Sequence, residues 1–206
     1  MILLAHFLKK LRGLVFFPVF YFLSLVWLLL HNLRINFGRY EKMPLPVVCI
    51  GNITLGGAGK TPTVIFLASY LKKNNINAHV VSRGYGGKFK DTVSVNRRRH
   101  NASDVGDEPL LISRHAKVWV SRKKRDGIFS AYKAGADLVL LDDGYQNFSI
   151  EKNVSILVFD AERSLTNERI FPSGNLRESP SSAIARADFS ICIGSPASRK
   201  KFKKTF

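Results

Sequence analysis

With only two cysteines in 206 residues, the chain cannot carry a disulfide framework, and Cys49 and Cys192 stand apart in apolar runs rather than in a C-x-x-C pair. Both read as core residues of a reduced, cytoplasmic protein. Zinc-ligand spacing, an RNA-binding aromatic motif and a helix-turn-helix pattern are also missing, so charge alone argues for nucleic acid. Acidic residues are scarce: 15 Asp and Glu stand against 32 Lys and Arg, a formal charge of +17. The cations cluster in Arg97-Arg98-Arg99, in Arg122-Lys123-Lys124-Arg125 and between Arg199 and Lys204. Such clusters favour an anionic partner, although part of the excess is solvated surface. No internal repeat is present, and an apolar share of 46% excludes a disordered tail and leaves room for one domain plus an appendage.

One apolar run decides between nucleic acid and an anionic membrane. From Leu14 to Leu30 the chain is uncharged, with Pro18, Tyr21 and Ser24 inside the run and Lys9, Lys10 and Arg12 before it. As a helix it extends about 26 Å, against a hydrocarbon core of about 30 Å. His31-Asn32-Leu33-Arg34 follows, with no small-residue cleavage pattern, which argues against a removed signal. The run is apolar nearly all round, so insertion is favoured over lying in the interface, and both remain open. Arg34, Arg39 and Lys42 put positive charge on the far side too, so charge does not fix the orientation.

The rest of the chain is organised around Pro46 to Pro62. A β-branched run, Val47-Val48-Cys49-Ile50, enters the glycine-rich Thr54-Leu55-Gly56-Gly57-Ala58-Gly59-Lys60-Thr61, and a helix is predicted from Thr61 to Lys73. Strand, glycine-rich loop and helix in that order form a phosphate cradle. Glycines let backbone N–H groups turn inward, and the helix behind them adds its positive end. Lys60 would reach the β- and γ-phosphates and the Thr61 hydroxyl would hold Mg²⁺. Against the template G-x-x-x-x-G-K-[ST], the first glycine is missing, replaced by Thr54. Since such a loop needs cytoplasmic nucleotide, it supplies the orientation that charge does not.

Further strands are predicted at Ile76 to Ser82, Thr92 to Val95, Val118 to Val120, Ala136 to Gly144, Val154 to Phe159 and Phe189 to Ile193. Helices are predicted at Leu110 to His115 and Lys124 to Ala134, and an exposed loop at Arg97 to Asp104. This alternation implies an α/β fold of P-loop NTPase type, a mostly parallel sheet flanked by helices, with an N-terminal membrane-associated helix. Asp142 and Asp143 fall at a strand's carboxyl end, which in a doubly wound sheet faces the ligand crevice, where they can bind magnesium. The boundaries expected are 1–42 for the membrane-associated helix with its basic flank and 43–206 for the kinase lobe.

Five ordered motifs resemble the tetraacyldisaccharide 4′-kinase family, which phosphorylates the lipid A precursor. They are Gly51-Asn52-Ile53-Thr54 running into Gly56 to Pro62, Ser82-Arg83-Gly84-Tyr85-Gly86, Gly106-Asp107-Glu108-Pro109, Asp142-Asp143-Gly144-Tyr145-Gln146, and Phe171-Pro172-Ser173-Gly174-Asn175-Leu176-Arg177-Glu178. The resemblance implies ATP and Mg²⁺ as cofactors, the lipid A disaccharide precursor as acceptor, no nucleic-acid partner, and the cytoplasmic face of the inner membrane as the workplace. Thr54 in place of glycine is that family's own form of the loop. The resemblance makes Asp107 the base, with Lys60 beside it in catalysis, and Arg83, Tyr85, Glu108, Gln146 and Arg177 further site candidates. For Arg177 and Glu178 a surface salt bridge is an equal alternative. His100 and His115 match no family histidine and read as surface residues.

Members of that family are usually longer, with a second lobe carrying a histidine. The expectation is therefore a chain truncated after Phe206, and a catalytically incomplete, nucleotide-binding remnant is the rival reading. A membrane-surface ATPase switch of the partitioning type is disfavoured, because its extra loop lysine is here Leu55.

Overall fold

The computed structural model describes residues 2–162 and 169–205, with side chains over 18–162 and 169–202. Its chain order is α1 (Ile2–Phe37), β1 (Val47–Gly51), α2 (Lys60–Lys73), β2 (Ala78–Ser82), β3 (Val93–Ser94), α3 (Ala102–Val105), α4 (Asp107–Ile112) and β4 (Lys117–Val120). Then come α5 (Lys124–Lys133), β5 (Leu138–Asp142), β6 (Val154–Asp160), α6 (Pro180–Ile184), β7 (Phe189–Ile193) and α7 (Pro196–Thr205). The sheet order is β3-β4-β2-β5-β1-β6-β7, and every pairing is parallel except that of β3 with β4.

Buried parallel strands read as continuous apolar runs because both faces are covered. Along β5, Val139 and Leu141 point into one core with Cys49, Ile128 and Phe159, while Leu140 points into the other with Ile50, Val64 and Ile112. Helices α2 and α4 cover the second face, and α5 covers the first. Cys49 is fully buried as expected, whereas Cys192 on the outer strand β7 is half-buried. The predicted loop at 97–104 also contains the start of α3, whose Asn101 and Asp104 form a reciprocal capping box.

The apolar run lies within a 36-residue helix that continues through Pro18. Pro18–Phe37 is long and apolar enough to cross a membrane. Its surface is not apolar all round, because Ser24 and His31 are buried against residues 148–178 while Phe22, Leu29 and Leu33 face outward.

Candidate active site

β1, β5 and β2 end side by side, and their carboxyl ends gather the predicted residues. Loop 52–59 leaves β1 and enters α2 at Gly59, whose φ of 84° is in the left-handed region. A Cβ there would also come within 2.4 Å of Ile193 Cδ1, a contact the end of that side chain can yield to, so the backbone conformation is what calls for glycine. Asn52 fills the loop: its Nδ2 donates to Thr54 O at 2.8 Å and to Thr54 Oγ1 at 3.1 Å. Thr54 thus accepts a bond inside the cradle that glycine at this position could not match.

Lys60, the first residue of α2, is buried, and its Nζ donates to Asn52 Oδ1 at 3.2 Å and lies 3.6 Å from Asp143 Oδ1. Asp143 adopts φ 49° just past β5 and also accepts from Arg177 Nη1 at 3.1 Å. Burial works against its ionisation, but Lys60, Arg177 and Lys124 outweigh that and hold its carboxyl below the usual range.

Asp142 differs from its neighbour. It is 1% exposed, its Oδ2 accepts from Ser82 Oγ at 2.9 Å, and among the described residues Oδ1 has no hydrogen-bond partner. Burial pushes its carboxyl up against the pull of Lys124 and Ser82, and Glu108 adds to the rise. No group of three or more His, Cys, Asp or Glu side chains gathers to hold a metal among the described residues. The unpartnered Oδ1 nonetheless fits Mg²⁺, which keeps several waters and takes one or two carboxylates with substrate phosphate.

Asp107 begins α4 directly after Gly106, whose φ of 92° brings it against Tyr85 O and Gly84. The 83–87 loop and Asp107 are thereby neighbours beside the end of β2. Asp107 is exposed, and among the described residues its carboxylate makes no hydrogen bond or ion pair. Tyr85 is 93% exposed, and Arg83 and Glu108 are exposed too. Leu55 and Gly56 lie at the open tip of the loop, while Ala58 is buried.

Segment 170–178 forms a strap across this end. Leu176 bridges Thr54, Leu55 N donates to Asn175 O at 2.8 Å, and Arg177 N donates to Ile53 O at 2.6 Å. Arg177 and Glu178 are not a surface salt bridge with each other. Arg177 turns to Asp143 and Gln146, and Glu178 is completely buried between Gln146, Arg186 and His31. Burial alone would raise the Glu178 carboxyl, but the His31 ring 3.3 Å away, the Arg186 charge and the Gln146 bond hold it below the usual range. A depressed carboxyl contributes stability that is complete above its unfolded value, about 4.3, and is lost as pH falls through the lower folded value. Glu178→Gln is expected to flatten the fall of Tm with pH below about pH 4.3, measured from pH 3 to 6. An unchanged slope would show that Glu178 does not carry that pH dependence.

Two contributors escaped the sequence. Lys124 stands in a basic cluster that reads as solvated, yet it is buried and its Nζ donates to the carbonyls of Asp142 and Asp143. Its preference for the strand end shows only once β5 lies beside α5. His31 sits in the apolar helix, 3.3 Å from Glu178 Oε2, and its one signal is a titratable residue ending an apolar run.

Between α1 and the strand ends opens a groove of about 920 Å³. Leu30, Leu33, Phe37 and Phe148 give it an apolar side, and Arg34, Arg39, Arg83, Arg122 and Arg177 a cationic one. Asp143 and Gln146 lie at its inner end, so the groove meets the phosphate loop at Asp143.

Comparison with known proteins agrees with this architecture. Residues 16–205 match the family model described as Tetraacyldisaccharide-1-P 4′-kinase. The chain is 49% identical over 158 residues to a tetraacyldisaccharide 4′-kinase of Dinoroseobacter shibae, covering 77% of this chain and 47% of that protein. A Rhodospirillum centenum relative of the same name is 41% identical, over 83% of this chain and 51% of its own length. A crystal structure of LpxK from Aquifex aeolicus in complex with ATP superposes with a TM-score of 0.75 at 30% identity, covering 86% of this chain and 57% of that one. The chain therefore spans about half the length of the curated relatives it matches.

Proposed function

Because the chain belongs to the tetraacyldisaccharide-1-P 4′-kinase family, we propose that it transfers the γ-phosphate of ATP to the 4′-hydroxyl of the tetraacyldisaccharide 1-phosphate lipid A precursor. The observation that carries this reading is the junction at Asp143, where a lysine-bearing phosphate loop meets a groove that is apolar on one side and cationic on the other. Such a groove suits an acylated, phosphorylated acceptor: acyl chains against Leu30, Leu33 and Phe37, phosphate against the arginines.

Phosphoryl transfer demands alignment and charge neutralisation rather than covalent chemistry by the protein. Loop 54–61 would bind the triphosphate, with Lys60 leaving Asn52 and Asp143 to meet the β- and γ-oxygens. Thr61, Asp142 and Asp143 would hold Mg²⁺, which when bound offsets phosphate charge. Asp107, exposed beside the 83–87 loop, would take the acceptor hydroxyl proton. Arg177, held by Gln146, would orient Asp143 from the groove side, Arg83 lines the groove, and the exposed Tyr85 and Glu108, close to Asp107 in the chain or through Gly106, would meet the acceptor. Residues 1–42 would hold the groove at the cytoplasmic face of the inner membrane, with the cationic surface of 43–206 against anionic headgroups.

The test is transfer of labelled γ-phosphate from ATP to the disaccharide lipid by the purified 206-residue chain in detergent. Asp107→Ala is expected to lower the rate by about 100-fold or more with ATP affinity retained. An Asp107→Ala rate equal to wild type would remove Asp107 from the chemistry. ATP binding without any transfer would favour the rival reading of a catalytically incomplete nucleotide-binding protein.

A further inference from the structure

Helix α1 and the phosphate loop are both fastened to one segment. On the helix, Ser24, Trp27 and His31 form one stripe at the spacing of successive turns. Ser24 Oγ lies 2.9 Å from both Ile170 O and Ser173 Oγ, and Trp27 Nε1 donates to Arg177 O at 2.8 Å. His31 Nε2 reaches Glu178 Oε2 at 3.3 Å. On its other edge the same strap holds the loop through the Leu55–Asn175 and Arg177–Ile53 backbone bonds. Glu178 extends the connection: it accepts from Gln146 Nε2 at 3.0 Å, and that same nitrogen donates to Asn52 O at 2.8 Å. Asn52 is the residue that fills the loop and holds Lys60.

We propose that the 170–178 strap couples the seating of α1 to the geometry of the phosphate loop, with His31 and Glu178 as positioning residues. An anchor alone has no need of buried polar groups on its domain-facing stripe, since apolar contacts would hold it as well without a desolvation cost. A completely buried carboxylate is retained only where its partners are fixed, and one of the three partners of Glu178 comes from the helix. Loss of the helix contacts removes one partner from Glu178 and one from Arg177, and so loosens the backbone edge and the Asn52 carbonyl that shape the loop. The helix thereby acts on nucleotide affinity from outside the nucleotide site. The coupling rests on the reading of loop 54–61 as a nucleotide site only where ATP affinity is its readout.

The test uses the full chain in detergent micelles, with amide hydrogen exchange and calorimetric titration by Mg·ATP. His31→Leu is expected to speed exchange of the 52–59 amides about fivefold, with β2 and β4 unchanged, and to weaken ATP by a similar factor, the size of one polar contact to a buried carboxylate. His31→Gln, which keeps a donor toward Glu178, is expected to restore both. Trp27→Phe keeps the ring and deletes only the bond to Arg177 O; it is expected to act in the same direction. If His31→Leu instead speeds exchange in β2 and β4 as well, Trp27→Phe decides by the same criterion. Wild-type loop exchange in both His31→Leu and Trp27→Phe would overturn the coupling. Absence of ATP binding by the wild-type chain would instead sink the nucleotide reading, and the exchange data would still decide the coupling.

Discussion

Lys60→Ala is expected to lower both ATP affinity and phosphate transfer by about 100-fold or more, because one charge-assisted contact to the transferring group is lost in a water-poor site. The fold should survive. Asp143 retains Arg177 as its cation, and Asn52 still donates to Thr54 inside the loop. Titration with Mg·ATP and transfer rates measured beside Tm separate the two effects. A variant with wild-type Tm and wild-type transfer would remove Lys60 from the phosphate site, whereas joint loss of Tm and binding would make it a structural lysine.

The second large effect is expected at Lys124. Its ammonium is buried at the start of α5 and ties the carbonyls of Asp142 and Asp143, and its charge acts through space on the Asp142 carboxylate. Burial pushes Lys124 toward its neutral form, and Cys49, Asp142 and Asp143 pull it back. Lys124→Met would leave two carbonyls unmatched and a buried carboxylate without its cation, a loss of about 3 kcal/mol or more. Urea unfolding measures it. The cost should shrink when Asp142→Asn is added, since the second change removes the charge that the first leaves unpaired. Additive losses from the two substitutions would show that the pair does not interact.

Lys124 also marks how far sequence reading reaches. Strand, loop and helix around Lys60 are legible because β-branched runs, glycines and helix formers follow one another at short range. The two aspartates at the end of β5 gain meaning only beside that loop, since alone an Asp-Asp-Gly after a strand reads more often as a turn. Sheet order was not legible, since the parallel neighbours of β1 come from far along the chain and nothing local names them. Nor was the antiparallel turn of β3 onto β4. Charge runs read as solvated faces, so the one buried lysine among Arg122-Lys123-Lys124-Arg125 is hidden by its neighbours. Glu178 reads as one half of a surface pair because its true partners, His31, Gln146 and Arg186, are scattered over the chain.

The order of the sheet has a consequence for synthesis. β1 carries the phosphate loop and sits between β5 and β6, so both of its edges are completed by strands translated long after it. At about 5–20 residues per second, that leaves an apolar strand without partners for several seconds on the ribosome. Such long-range parallel pairing is slow to form and open to wrong association while it waits. The segment made before β1 is the apolar helix, which can engage a bilayer during that interval. Early capture of the helix would keep nascent chains apart in the plane of the membrane, and it would lower the local supply of other unpaired edges until β5 and β6 emerge.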